Sequence, residues 1–178
     1  MKNNYFLILS FICFTFFFSA CKKDEAVTPT VSKTELIARK WFFSEQYIDG
    51  DGTKVVIYGA GKPANLTLTT ETTPNDYFNF TKDGKLEVYT DSNKKTVTGT
   101  WKFVNDESQI LLAYDKTNAT FKIDELTDKT SAISLSVTVA NAATATQDEK
   151  NIILIGAFAG VVTNKTAKVT YGLKFVAK

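Results

Sequence analysis

From Phe78 to Val139 apolar and polar residues change places at almost every step, and turn-forming residues break the pattern at short intervals. Phe78 and Phe80 share one side of an extended segment; Thr81-Lys82-Asp83-Gly84-Lys85 turns it, and Leu86 and Val88 return on the same side. Asp-Gly tolerates the positive φ of a tight hairpin turn, so these residues predict a β-hairpin. Val97, Gly99, Trp101 and Phe103 then alternate with threonines and Lys102, and after Asn105-Asp106-Glu107-Ser108 the chain comes back through Ile110, Leu112 and Tyr114. Phe121 and Ile123 mark a shorter strand. Ile133, Leu135, Val137 and Val139 alternate with Ser134, Ser136 and Thr138, and Val169, Tyr171, Leu173 and Phe175 repeat the pattern near the C-terminus. Residues two apart lie on one face of a strand, so every segment has a dry side and a wet side. The predicted fold class is all-β: an antiparallel meander β-barrel of about eight to ten strands, since a meander of that length avoids open edges by closing on itself. A chain of 178 residues can bury a core of that kind without disulfides or metals.

Two stretches resist this pattern. Residues 49–76 place Gly50, Gly52, Gly59, Gly61, Pro63 and Pro74 around Val55-Val56-Ile57 and Leu66/Leu68, which suits either a long loop or two irregular strands. Asn151 to Val162 contains Ile152-Ile153-Leu154-Ile155 and two glycines and is apolar on both faces. Strand, buried helix and a crossing between sheets all fit such a run; β-branched residues and glycines favour strand.

The N-terminus is organised differently. Met1-Lys2-Asn3-Asn4 is followed by an apolar run from Tyr5 to Phe18, shorter than the ~20 residues that cross a bilayer as a helix, and then by Ser19, Ala20 and Cys21. This is the pattern of a signal peptide, residues 1–20. Phe18-Ser19-Ala20-Cys21 resembles a lipobox, which implies cleavage before Cys21 and attachment of diacylglycerol and a further acyl chain, such as palmitate, to that residue. Cys13 leaves with the leader, so Cys21 has no disulfide partner. Lys22-Lys23-Asp24-Glu25 resembles the signal that sends lipoproteins of Bacteroidota to the outer face of the outer membrane. Residues 21–32 then read as lipidated cysteine and flexible tether. Ser32-Lys33-Thr34-Glu35 has the spacing of a capping box ahead of Leu36-Ile37-Ala38, so a short N-terminal helix opens the domain, residues 33–178.

Catalysis has few residues to work with. There is no histidine, which removes the serine–histidine triad and histidine-built metal centres. Asp49-Gly50-Asp51-Gly52-Thr53 suggests a calcium loop, but Lys54 falls where glycine is needed and Ala60 where the bidentate acid belongs. Gly59-Ala60-Gly61-Lys62 is followed by Pro63 rather than a hydroxyl residue opening a helix. Asp124-Glu125 and Asp148-Glu149 are adjacent in sequence and do not face each other across a cleft. Four Asn-x-Thr triplets, beginning at Asn65, Asn79, Asn118 and Asn164, carry no information in so threonine-rich a chain. With 21 basic and 19 acidic residues interspersed, no basic stripe exists to grip nucleic acid. No enzyme, no cofactor, no metal and no nucleic-acid partner is therefore expected.

Arg39-Lys40-Trp41 behind the capped helix, Phe78-Asn79-Phe80 with the Lys82-Asp83-Gly84-Lys85 turn, and Thr98-Gly99-Thr100-Trp101 together resemble the lipocalin-like lipoproteins of Bacteroidota, over roughly residues 33–140. The resemblance implies a barrel whose helix-closed end is plugged by Trp41, with Trp101 in the glycine-threonine-tryptophan strand. Arg39 stands where lipocalins carry a glycine two before the first tryptophan, and residues 49–76 and 141–178 depart from the family pattern. The inward faces of the strands make Phe78, Phe80, Leu86, Val88, Trp101, Phe103, Tyr114, Phe121, Ile133 and Leu135 the candidate lining of a cavity, or equally the packed core. The expectation is a surface-displayed, membrane-anchored, non-enzymatic module holding a small apolar or amphipathic ligand. Its rival is an interaction or structural module, a filled barrel or β-sandwich contacting glycans or another envelope protein.

Overall fold

The computed structural model describes residues 31–62, 72–90 and 94–178. The leader, Cys21 and the tether up to residue 30 lie outside the described residues, as do Asn65, Leu66 and Leu68. A short helix α1 (Lys33–Ile37) leads into β1 (Lys40–Gly50), and β2 (Thr53–Tyr58), β3 (Tyr77–Phe80), β4 (Lys85–Thr90), β5 (Lys94–Val104), β6 (Gln109–Tyr114), β7 (Thr117–Leu126) and β8 (Thr130–Thr138) follow. Helix α2 (Gln147–Phe158) separates β8 from the last strand, β9 (Lys168–Ala177). Each strand from β3 to β9 pairs antiparallel with its sequence neighbour, and β9 also pairs with β1 from Trp41↔Ala177 to Gly50↔Val169. β1 and β3–β9 therefore form a closed eight-stranded antiparallel barrel of lipocalin-like architecture. Closure is what satisfies the backbone of β9, which an open meander would leave with one bare edge.

The remaining strand shares a place in the ring. β2 pairs with the second half of β1, Gln46–Gly50, while β3 pairs with its first three residues, Lys40–Phe42, so two short strands lie end to end along one flank. The hairpin joining β1 to β2 turns on Asp51 (φ 48°) and Gly52 (φ 91°), the left-handed pair such turns need. Its Asp51 carboxylate accepts from the amides of Ala167 (2.6 Å) and Lys168 (3.0 Å), so the acid that suggested calcium binding serves as a latch on the loop before β9. Register shifts at Phe43/Glu45, Gln46/Tyr47, Val88/Tyr89 and Ile123/Glu125 bend the strands toward closure.

Alternation carries the core. Trp41, Phe78, Phe80, Leu86, Trp101, Ile110, Leu112, Phe121, Ile133, Leu173 and Phe175 form one core together with Ile37 of α1. The capping box of α1 is formed, with the Glu35 amide donating to Ser32 Oγ at 3.2 Å and the Ser32 amide to the Glu35 carboxylate at 3.3 Å. Trp41 is fully buried, and its indole N–H donates to the carbonyl of Ile37 at 2.9 Å, tying helix to barrel floor. Trp101 likewise donates to the Thr81 carbonyl at 3.0 Å. All the described strands and core residues lie within the unit Val31–Lys178, which thus carries its own core, the property of a unit able to fold alone.

Of the run Asn151–Val162, favoured as strand from its residues, the part up to Phe158 is instead the body of α2, and Ala159–Val162 follow its end. Thr146-Gln147-Asp148-Glu149 is a second capping box, with the Glu149 amide on Thr146 Oγ at 3.3 Å and the Thr146 amide on the Glu149 carboxylate at 2.7 Å. Asp148 and Glu149 also place negative charge at the positive end of the helix. Ile152 and Gly156, one turn apart, are the buried positions; a Cβ at Gly156 would sit 2.7 Å from Val162 and 3.2 Å from Val169, so glycine sets how closely the helix docks. The helix ends at Gly160 (φ 75°), with the amides of Val161 and Val162 both returning to the Gly156 carbonyl. The ring of strands is already complete without this segment, and a capped helix buries its isoleucines across the barrel mouth, against Ile48, Ile57, Val137 and Val169. Tertiary burial outweighs β propensity here. Among the described residues of 49–76, β2 is the one whole strand, following the end of β1 at Gly50.

Candidate functional site

A half-enclosed cavity of about 360 Å³ lies between the barrel interior and α2. Its wall is built by alternate residues of six strands: Phe43 of β1, Phe78 of β3, Val88 of β4, Tyr114 of β6, Ala119 and Phe121 of β7, and Tyr171 and Leu173 of β9. Ile57 of β2 and Leu135 of β8 add to it, and Ile152 and Ile155 of α2 form the roof. Phe78 is the hinge of the aromatic wall, edge-on to Phe43 at 5.0 Å and to Tyr114 at 5.6 Å. Such edge-to-face contacts are a favoured arrangement of neighbouring rings. The mouth is polar: Gln46, Thr72, Asp76, Thr90, Thr117, Asp148 and Asn151.

The polar groups of the mouth are positioned by their own backbone neighbourhoods. Asp76 is buried just before β3, accepting from the Thr73 amide at 3.0 Å and from the Thr73 hydroxyl at 2.7 Å. Gln46 donates to the Thr72 hydroxyl at 2.9 Å. Asp148, in the first turn of α2, accepts from the Asn118 amide at 3.1 Å and so clips the helix to the start of β7. Burial pushes the phenols of Tyr114 and Tyr171 above the ordinary tyrosine range; the Asp148 carboxylate adds to this at Tyr114, and Thr117 opposes it through a hydrogen bond. Both rings stay neutral across the working pH range. On the outer wall Glu87 accepts from the Asn79 side chain (3.0 Å) and faces Lys85 (3.2 Å), which hold its carboxyl at about 2.

Five residues expected as lining from strand alternation, Phe78, Val88, Tyr114, Phe121 and Leu135, do face the cavity. Phe80, Leu86, Trp101 and Ile133 lie in the packed core outside the lining, and Phe103 rests edge-on against Trp101 at 5.3 Å. Trp41 sits at the α1 end, also outside the lining. Phe43 was missed although it stands two residues after Trp41 on the same face and ahead of the register shift at Phe43/Glu45, so alternation counted from Trp41 could have found it; Asp148, Ile152 and Ile155 stand on a helix, where period-two alternation does not apply. The Thr146–Glu149 capping box was the signal that could have found them. Of the adjacent acidic pairs, Asp124 bonds Lys122 at 2.7 Å and Glu125 bonds Thr130, while Glu149 caps its helix, leaving Asp148 alone in the cavity. Among the described residues no group of three or more Cys, Asp or Glu side chains is placed to share a metal ion.

No protein-family model, curated protein or solved structure matches this chain. The reading of the site therefore rests on its geometry.

Proposed function

We propose that this chain is a non-catalytic binding protein of the lipocalin-like lipoprotein kind, anchored by lipid on Cys21 and displayed at the outer-membrane surface, whose barrel holds a small apolar or amphipathic ligand. The observation that carries the binding reading is the cavity itself. A volume of about 360 Å³ is at the lower end of the ~300–1,000 Å³ of small-molecule sites, and an apolar wall beneath a few convergent polar groups is their usual build. Anchoring is supported by the apolar leader and the lipobox-like Phe18-Ser19-Ala20-Cys21.

Binding is tested with the neutral fluorescent probe N-phenyl-1-naphthylamine on residues 22–178. Probe fluorescence should rise on addition of the protein and saturate at one site. Ala119→Phe should abolish the rise while leaving the melting temperature level or higher, because the new ring enters a void beside Phe121 rather than a filled core. An unchanged signal in Ala119→Phe places the probe elsewhere. For the anchor, metabolic labelling with an alkyne analogue of palmitate should mark the protein and disappear in Cys21→Ala; label that persists ends the lipoprotein reading.

The rival reading, contact with another envelope protein, has one observation in its favour. Leu154 and Phe158, a turn apart on the outer side of α2, are 54% and 73% exposed. Failure of probe binding together with a single protein neighbour crosslinked to α2 on intact cells would favour it.

A further inference from the structure

We propose that the cavity selects amphiphiles with a cationic head, small alkylammonium compounds, over fatty acids of the same length; this rests on the reading of the cavity as a ligand site. The mouth supplies the first reason. Among the described residues, Asp76 and Asp148 are the carboxylates in the lining, and no lysine or arginine lines it. The lysines next in sequence to the rim, Lys116 and Lys150, are exposed, and the ammonium of Lys178 is held on the Pro74 carbonyl at 3.2 Å and over the Phe42 ring, neither of which lines the cavity. The charges acting on the Tyr114 phenol, from Asp148 and Asp115, are both acidic. A carboxylate head drawn into this mouth would meet like charge with water partly excluded, and an ammonium head would meet opposite charge.

The wall supplies the second reason, independent of the first. Phe43, Phe78, Tyr114, Phe121 and Tyr171 crowd one cavity with their ring faces and edges. Ring faces are electron-rich and attract ammonium groups, most strongly where water is displaced. The neutral phenols of Tyr114 and Tyr171 can accept a hydrogen bond from an ammonium as well. An alkyl tail then takes the apolar space under Ile152 and Ile155.

Displacement of N-phenyl-1-naphthylamine from residues 22–178 by decylamine, decanol and decanoate, each below its micelle threshold, separates the cases. Decylamine should displace the probe at about tenfold lower concentration than decanoate, with decanol between them, a gap of about 1.4 kcal/mol. Asp148→Asn retains an oxygen to accept from the Asn118 amide and should shrink that gap several-fold. Thr90→Lys, which adds a cation at the rim, should close or reverse it. Decanoate displacing as well as decylamine, or a gap untouched by both variants, overturns the charge selection and leaves the cavity reading standing. A wild-type chain that never binds the neutral probe overturns both.

Discussion

Replacing Trp41 by alanine should lower the free energy of unfolding by about 3–5 kcal/mol, read from urea denaturation of residues 22–178. The side chain is 0% exposed, so its removal empties the floor of the barrel. Its indole N–H is also the donor to the Ile37 carbonyl at the end of α1, and that carbonyl would be left without this bond next to a cavity. Arg39, whose guanidinium lies 5.6 Å from the ring centre, loses its stacking surface too. Against a typical domain stability of about 5–15 kcal/mol, the loss leaves little in reserve at body temperature. The ligand cavity lies toward the other end of the barrel, and Trp41 is not among its lining residues. Probe affinity of the fraction that remains folded should accordingly match wild type. A destabilisation under about 1 kcal/mol would mean that the floor repacks and that Trp41 is no plug.

Gly99→Val should cost about 3 kcal/mol or more and abolish probe binding together. A Cβ at Gly99 would stand 2.2 Å from the Ala113 carbonyl oxygen and 2.5 Å from the Tyr114 Cβ. Both atoms belong to the paired strand β6, in which Gly99 lies opposite Tyr114. Gly99 is held on its other side by pairing with Leu86 of β4, so it cannot back away from these atoms without breaking that ladder, and β5 and β6 must separate where Tyr114 forms the cavity wall. Gly52 provides the contrast. Its φ of 91° strains any side chain, yet nothing lies within 4 Å of a Cβ there, so Gly52→Ala should cost only about 1–2 kcal/mol and leave binding intact. Equal costs at the two positions would refute the steric account of Gly99.

The hairpin of β3 and β4 shows what local sequence can convey. Phe78, Phe80, Leu86 and Val88 all point inward, as period-two alternation around an Asp-Gly turn requires, and Gly84 takes the expected positive φ of 82°. The same rule placed Trp101, Leu112, Phe121, Ile133 and Leu173 in one core. The register shift after Phe43 moves the inward face of β1 from Trp41 and Phe43 to Gln46 and Ile48, and there the rule loses track of the face. In the Ile152–Ile155 run it has nothing to grip, because a roof over a barrel mouth is apolar on the side that alternation assigns to water.

Sequence by itself determined the period of the strands, the places of the turns, the capped start of α1 and the residues able to fill a core. These are short-range properties, settled by backbone sterics and by which side chains water rejects. Only the tertiary structure decided that β9 returns to β1, that two short strands share one flank, that α2 lies across the open end, and which five of ten inward residues border empty space. A void is defined by atoms from distant parts of the chain failing to meet, and the acids at its rim, Asp76 and Asp148, come from segments 72 residues apart that share no local pattern.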